Sequence, residues 1–340
     1  ITLGDNTTLT APVVNNSGLI TLGTGAVLNL NHNRDITLAA PIGGTGSLTV
    51  SSSNVITLSG AFGLPAVNVS GNTLALTGVV STASDFTKSG TGLLVLSAVN
   101  TYTGATFING GTLRINSDSA LGAAATAVTL AAGGTLDLSG SVVANNINLF
   151  GRTVTIAGTG VGNAGAIVNN SNFTQTSAIQ ALTLSADASI GGTQGWNVGG
   201  IALELAGFTL TKTGSNTIAI DGPIVAEGNL TVAQGKLSIL GGTTVLAGTT
   251  LPGVITVQSG TTLELGGSVS SFGFTRAVNL LTGSTLATTA NSAISTGSAI
   301  TVAGAVTLNI GAGGSFNPAV AITGTADLAK TGYGRLILAA

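Results

Sequence analysis

The sequence predicts an all-β protein built as a parallel β-solenoid of about 15 coils. Three observations support this class: a long internal repeat, short apolar clusters at a regular spacing, and a composition rich in small polar and aliphatic residues. Repetition of this kind indicates that each unit packs mainly on its neighbours along the chain. We therefore expect residues 1–340 to form a single β-solenoid that is a fragment of a longer repeat array.

The internal repeat is clearest where its first full copy begins, at Phe86, and a second copy begins at Leu210. The lysines near the start of each copy, Lys88, Lys212 and Lys330, are separated by 124 and 118 residues. The predicted division is a partial repeat (1–85), two repeats (86–209 and 210–327) and the start of another (328–340).

Short apolar clusters recur every eight to ten residues, and apolar and polar residues alternate within them, as in Leu136-Asp137-Leu138 and Leu263-Glu264-Leu265. Successive side chains of a strand point to opposite faces, so we predict that these leucines face the core and that Asp137 and Glu264 face solvent. Leu113 and Leu237 have the same phase. With two or three strands in a coil of about 20–25 residues, one repeat contains about five coils.

Charged residues are scarce, with 9 Lys and Arg and 11 Asp and Glu among 340 residues. In soluble domains, charged residues usually make up about a quarter of the sequence. The net charge is −2 and no basic stripe is present, which argues against a nucleic-acid partner. No window of about 18 consecutive apolar residues exists, so we expect no membrane span in this segment.

The first copy contains Thr-Lys-x-Gly-x-Gly at 87–92, Leu-x-Leu at 94–96, Asn-Thr-Tyr-Thr-Gly at 100–104 and Gly-Thr-Leu at 111–113. These residues resemble the passenger-associated repeat of bacterial autotransporters. The likeness is specific over 86–140 and partial over 210–266, where Tyr-Thr-Gly is lost. The resemblance implies a secreted, right-handed β-helix that is extracellular, at a bacterial cell surface. It does not imply one activity, because such passengers differ widely.

The sequence offers no catalytic centre, no cofactor site and no metal site. It has no cysteine, His32 is its single histidine, and no two acids lie within three residues of each other, so no carboxylate pair for acid–base catalysis is visible. Lys88, Lys212 and Lys330 are candidates for contacting an anionic glycan, although solvated turn lysines are the simpler interpretation. Trp196 is a candidate carbohydrate-stacking platform, or else a partly buried loop anchor.

Two function classes remain open. The first is a structural extracellular rod or filament element, adhesin-like or fibre-forming and without catalysis. The second is a polysaccharide-binding or polysaccharide-active β-helix passenger.

The two ends of the sequence and its low charge predict which partners this chain contacts. Both ends fall within the strand rhythm, and an open solenoid end exposes apolar core and unpaired strand edges. We therefore expect contact with further repeats of the same polypeptide or with head-to-tail copies. The low charge favours lateral bundling, and a glycan or another surface ligand is a further candidate partner.

Overall fold

The structure is a computed structural model of the chain. It describes residues 2–4, 8–11, 18–123, 125–139, 146–240, 253–267, 272–274, 276–324 and 326–338. The chain folds as two compact units, unit 1 (residues 1–172) and unit 2 (residues 173–340). Each unit is a β-solenoid whose short strands pair in parallel from one coil to the next. The predicted fold class is confirmed, with about 13 turns in total against the roughly 15 predicted.

Unit 1 has three stacks of strands, which are called its first, second and third stacks. The first stack contains Thr8–Ala11, Val27–Leu30, Ser47–Val50, Ala66–Val69, Phe86–Ser89, Thr106–Ile108, Val128–Leu130 and Thr153–Gly158. The second contains Ile36–Leu38, Val55–Leu58, Thr73–Leu76, Leu93–Leu96, Gly111–Ile115, Gly134–Asp137 and Ile167–Asn169. The third contains Thr2–Leu3, Ile20–Leu22, Ile42–Gly44 and Phe62–Gly63.

Unit 2 begins with two long strands: Gln175–Gly192 contributes to all three stacks of this unit and Trp196–Glu204 contributes to the second and third. Its first stack continues with Thr209–Lys212, Asn229–Val232, Val254–Val257, Ala277–Leu280, Ile300–Val302 and Ile322–Gly324. Its second continues with Thr217–Ile220, Lys236–Ile239, Thr262–Leu265, Thr285–Thr288, Val306–Ile310 and Leu328–Thr331. Its third stack begins with Ile224–Val225, which pairs with the end of Trp196–Glu204. A separate sheet contains Phe272–Phe274, Ala293–Thr296, Ser315–Pro318 and Arg335–Leu336.

Helical structure is confined in the described residues to two short 3₁₀ helices, Asp118–Leu121 and Val161–Asn163. None of the described helices is long and apolar enough to span a membrane.

The core of each unit consists of the inward-facing aliphatic residues of its strands. All six leucines predicted to face inward are buried: Leu113, Leu136, Leu138, Leu237, Leu263 and Leu265. Glu264 is half-buried. The prediction that Asp137 is exposed is wrong, because its side chain is 1% exposed. Asp137 still alternates with the buried Leu136 and Leu138, so the strand phase is correct and a different segment must cover the acid.

The repeat does not match a whole number of turns in unit 2. The strand that contains Lys212 lies in the first stack, and five successive pairings lead from it to Ile322–Gly324 in the same stack. The strand that contains Lys330 comes next in the chain and lies in the second stack. Equivalent repeat residues therefore occupy neighbouring faces. The predicted repeat boundaries themselves stay a prediction.

Candidate functional site

Lys88 is buried inside a coil of unit 1. In its strand Phe86 and Lys88 are buried, while Thr87 and Ser89 are half-buried. The Lys88 ammonium donates hydrogen bonds to the carbonyl oxygens of Ser89, Gly90 and Gly110 at 2.9, 2.7 and 2.8 Å. Three acceptors match the three N–H donors of an ammonium group. Burial lowers the pKa of Lys88 to about 8.

Gly111 shows how tightly this arrangement is packed. Its φ is +63°, and a Cβ on this residue would lie 2.5 Å from the Gly90 carbonyl oxygen and 2.8 Å from the Lys88 Nζ atom. Glycine tolerates both the left-handed backbone and the close approach. The Lys88 side chain can therefore bind these carbonyl oxygens only because position 111 of the repeat motif is glycine.

Lys212 makes the equivalent arrangement in unit 2. Its ammonium donates to the carbonyl oxygens of Thr213 and Gly214 at 2.9 and 2.6 Å and to Asn216 Oδ1 at 2.8 Å. The Asn216 amide donates in turn to the carbonyl oxygen of Gly191, which also accepts a 2.9 Å hydrogen bond from Trp196 Nε1. Burial lowers the pKa of Lys212 to about 7.

The predicted surface contacts therefore need correction. Lys88, Lys212 and Trp196 are each at most 1% exposed, so the expectation that they reach the surface is wrong. The alternation of their strands turns these side chains inward, where backbone carbonyl oxygens accept hydrogen bonds from their N–H groups. Lys330 is exposed, and its ammonium donates to the Gly332 carbonyl oxygen at 2.6 Å. A glycan contact at Lys330 stays a prediction.

Two buried arginines, which the sequence reasoning did not single out, use carbonyl oxygens in the same way. Arg152 donates to the carbonyl oxygen of Gly122 at 2.7 Å and to the Thr126 side chain. Arg276 donates to the carbonyl oxygens of Ala226, at 2.7 Å, and Gly228. Burial lowers the pKa of both guanidinium groups. These cations therefore hold turns together rather than facing a ligand.

Arg114 and Asp137 form the one ion pair of unit 1 within the described residues. They lie directly opposite each other in adjacent strands of the second stack, and Arg114 Nε contacts Asp137 Oδ2 at 3.0 Å. The other carboxylate oxygen accepts a 3.2 Å hydrogen bond from the backbone N–H of Asn170. Burial raises the pKa of Asp137 above its ordinary value, and the Arg114 charge and the Asn170 N–H oppose that rise.

Residues 159–166 connect Thr153–Gly158 to Ile167–Asn169, and Val161 and Ala164 of this connection line a cleft together with the ion pair, so we call it the roof loop. Thr135 fixes it, because its Oγ1 donates to the Gly165 carbonyl oxygen at 3.1 Å and accepts from the Val161 N–H at 2.8 Å. Thr159 Oγ1 also donates to Asn163 Oδ1 at 2.7 Å. These hydrogen bonds hold the roof loop in one conformation.

A cleft of about 250 Å³ lies between the roof loop and the outer face of the second stack of unit 1. We call it the Arg114 cleft. Its lining consists of Leu93, Thr112, Arg114, Thr135, Asp137, Val161, Ala164, Val168 and Asn170. The Arg114 side chain is 37% exposed and Asp137 is 1% exposed, so the guanidinium group, not the carboxylate, is presented to a ligand.

The second repeat has a related ion pair. Lys236 Nζ contacts Glu264 Oε2 at 2.7 Å, and Ser238 Oγ donates to the same oxygen at 2.8 Å. In the following turn, residues 281–284 connect Ala277–Leu280 to Thr285–Thr288, half the length of the connection 159–166 in unit 1. Among the described residues, this long connection is therefore a feature of the first copy of the repeat.

Asp137 is the one acid in the lining of the Arg114 cleft, whereas glycoside hydrolysis ordinarily needs two carboxyl groups. Across the described residues, no three His, Asp or Glu side chains are grouped so that they could hold a metal ion. The predictions of no catalytic centre, no cofactor and no metal stay predictions.

Comparison with known proteins agrees with the resemblance read from the motifs. Residues 86–115 match the passenger-associated-transport-repeat family, so the predicted passenger repeat is confirmed. The chain is 36% identical over 162 residues to the adhesin BmaC autotransporter of Brucella suis biovar 1 (strain 1330). That alignment covers 45% of this chain and 4% of the relative, so the chain spans a small part of that protein. No solved structure matches the chain.

Proposed function

We propose that the chain is a structural segment of a bacterial surface passenger. It would lie outside the cell as a rod or filament element of an adhesin-like protein and carry no catalysis. The passenger repeat at 86–115 and the likeness to an autotransporter adhesin support extracellular display. Binding by the adhesin as a whole would then depend on sites placed along this scaffold.

The observation that carries this proposal is the use of the repeat motif. Lys88 and Gly111 fasten one turn, and Leu113 belongs to the core. Asn100 accepts from the Val80 N–H at 2.8 Å and donates to the Ala120 carbonyl oxygen at 2.6 Å. Tyr102 is buried, and its hydroxyl lies 2.7 Å from Thr106 Oγ1. These motif residues serve the construction of the coil and are withdrawn from ligands.

Surface display and imaging test the scaffold role. The chain would be fused between an epitope tag and an unrelated outer-membrane anchor, and the tag would be detected on intact cells by antibody. Electron microscopy of the purified chain should show elongated particles. Compact spherical particles would contradict the rod, whereas light scattering that grows with concentration would support head-to-tail or lateral association.

Enzyme assays test the absence of catalysis. Purified chain would be incubated with a panel of neutral and acidic polysaccharides, and newly formed reducing ends would be measured. We expect none above the level of heat-denatured chain. Turnover that disappears in an Asp137→Asn variant would overturn this part of the proposal in favour of a polysaccharide-active passenger.

A polysaccharide-binding role is the second candidate, and the Arg114 cleft favours it. Carbohydrate sites combine a few placed polar groups with apolar walls. The cleft has both, with Arg114 and Asn170 beside Leu93 and Val161. A scaffold that also carries a saccharide-binding site would combine the two function classes that the sequence leaves open, the structural rod element and the polysaccharide-binding passenger.

A further inference from the structure

We propose that the Arg114 cleft binds the carboxylate of an acidic sugar residue, with Arg114 as the group that recognises it. The inference rests on the proposed function, since it names a partner class for an extracellular surface protein. It can fail alone, because the absence of saccharide binding would leave the scaffold role unchanged.

The guanidinium group of Arg114 retains free donors. A guanidinium carries five N–H groups in one plane, and Asp137 engages Nε. Among the described residues, no partner contacts the two terminal nitrogens of Arg114, and the side chain is 37% exposed. A planar pair of donors matches the two oxygens of a carboxylate, which is why arginine is preferred over lysine at such sites.

Asp137 holds this group in place instead of competing with the ligand. One carboxylate oxygen contacts Arg114 and the other accepts from the Asn170 N–H, and the side chain is almost fully buried. A guanidinium anchored on one edge loses less conformational freedom when its other edge binds a ligand. The ion pair therefore makes the cleft a preorganised acceptor of an oxyanion.

The rest of the lining fits a sugar ring. Thr112 and Asn170 add polar groups, while Leu93, Val161 and Val168 supply apolar walls for the C–H faces of the ring. The volume of about 250 Å³ is below the roughly 300–1,000 Å³ of sites for drug-sized ligands. The cleft therefore fits one sugar residue, such as a uronic acid unit of a polysaccharide.

The roof loop is an addition that coil stacking does not need. Connections between first and second stacks are shorter elsewhere in the described chain, for example 90–92 and 281–284. Gly160, Gly162, Asn163 and Gly165 of this segment adopt positive φ, so the sequence is adapted to this conformation. A fixed loop beside an exposed guanidinium group favours ligand binding, whereas the stacking of coils does not require such a loop.

Calorimetric titration of the full 340-residue chain tests the proposal with four probes. We expect galacturonic acid to bind, and its neutral counterpart galactose to bind at least tenfold more weakly or not at all, because the charged hydrogen bonds are lost. Equal binding of acetate would overturn the saccharide part, since the ring would then not be recognised. Binding of N-acetylalanine as strong as that of galacturonic acid would overturn it in favour of a peptide carboxylate. No binding of any probe would overturn the whole inference.

Variants place the binding in the cleft. Arg114→Lys keeps the charge opposite Asp137 but removes the planar fork, so we expect about tenfold weaker galacturonate binding. Val161→Asp changes an exposed side chain of the roof loop and adds a repelling charge without touching the ion pair, so it should also weaken binding. Lys236→Gln, which removes the cation of the Lys236–Glu264 ion pair in the second repeat, is the control. Equal losses in Lys236→Gln and Arg114→Lys would contradict the assignment, as would unchanged binding in both Arg114→Lys and Val161→Asp.

Discussion

At the scale of single residues, the described chain buries Lys and Arg side chains inside its coils without pairing them with an acid in an ion pair. Lys88, Lys212, Arg152 and Arg276 are buried and bind mainly backbone carbonyl oxygens. Turns of a solenoid leave carbonyl oxygens at the corners, and an unpaired buried carbonyl is costly. A cation that binds two or three of them at once therefore stabilises a corner.

Replacing Lys88 by Met should reveal this contribution. The Lys88→Met variant keeps the length of the side chain but leaves the carbonyl oxygens of Ser89, Gly90 and Gly110 without their donor. We expect the free energy of unfolding to fall by about 1–3 kcal/mol. Hydrogen exchange of the strands Phe86–Ser89 and Leu93–Leu96 would localise the effect.

Lys330→Met is the matched control for that experiment, because Lys330 is exposed and water can replace it at the Gly332 carbonyl oxygen. Its effect should stay within about 0.5 kcal/mol. Equal effects of the two variants would show that burial of Lys88 contributes nothing.

Stability should rise with pH above neutrality because of the buried lysines. The pKa of Lys212 is about 7 in the folded chain and about 10.4 in an unfolded chain. Between these values the unfolded state holds a proton that the folded state has lost, so raising the pH favours folding, by up to about 1.4 kcal/mol per pH unit. Urea unfolding at several pH values would measure the slope, and Lys212→Met should reduce it. A slope that is flat or negative in the native chain would contradict the assignment.

At the scale of elements, the strands follow from the sequence and the roof loop does not. Alternation placed Leu136 and Leu138 in the core, and both are buried. The same alternation puts Lys88 in phase with Phe86 and so indicates burial, although lysines in turn-rich sequences are ordinarily solvated. Asp137 is enclosed by Arg114 on one side and by Val168 and the Asn170 N–H on the other, and no pattern within its own strand predicts that contact with Asn170.

Gly160 gives a test of the roof loop. Its φ is +67°, and a Cβ would lie 2.0 Å from the Gly165 carbonyl oxygen and 2.5 Å from Thr135 Oγ1. Gly160→Ala should therefore displace the loop and cost more than about 1 kcal/mol, the usual cost of a strained backbone. Gly162→Ala is the control, because its φ is +62° and nothing lies within 4 Å of the added carbon. Hydrogen exchange of the Val161 and Gly165 amides would separate the two, and equal exchange in both variants would argue against a fixed loop.

At the scale of the whole molecule, the low charge predicts a weak response to salt. Two ion pairs join side chains in the described part of the chain, Arg114–Asp137 and Lys236–Glu264. The remaining buried cations bind neutral carbonyl groups, which salt screens little. Between about 0.05 and 1 M sodium chloride we expect the free energy of unfolding to change by less than about 1 kcal/mol. Urea unfolding at both concentrations would measure this, and a loss of several kcal/mol at high salt would mean that long-range charge interactions dominate.

The mismatch between repeat and turn in unit 2 has a consequence for how such chains acquire new properties. Lys212 and Lys330 occupy the same place in the repeat but lie in different stacks. A patch that arises in one copy and is duplicated by a step of this kind would therefore point in a new direction. An array lengthened by such steps would surround its axis with copies of a weak contact instead of arranging them in one row, so it could engage a surface from any side on which it happened to lie.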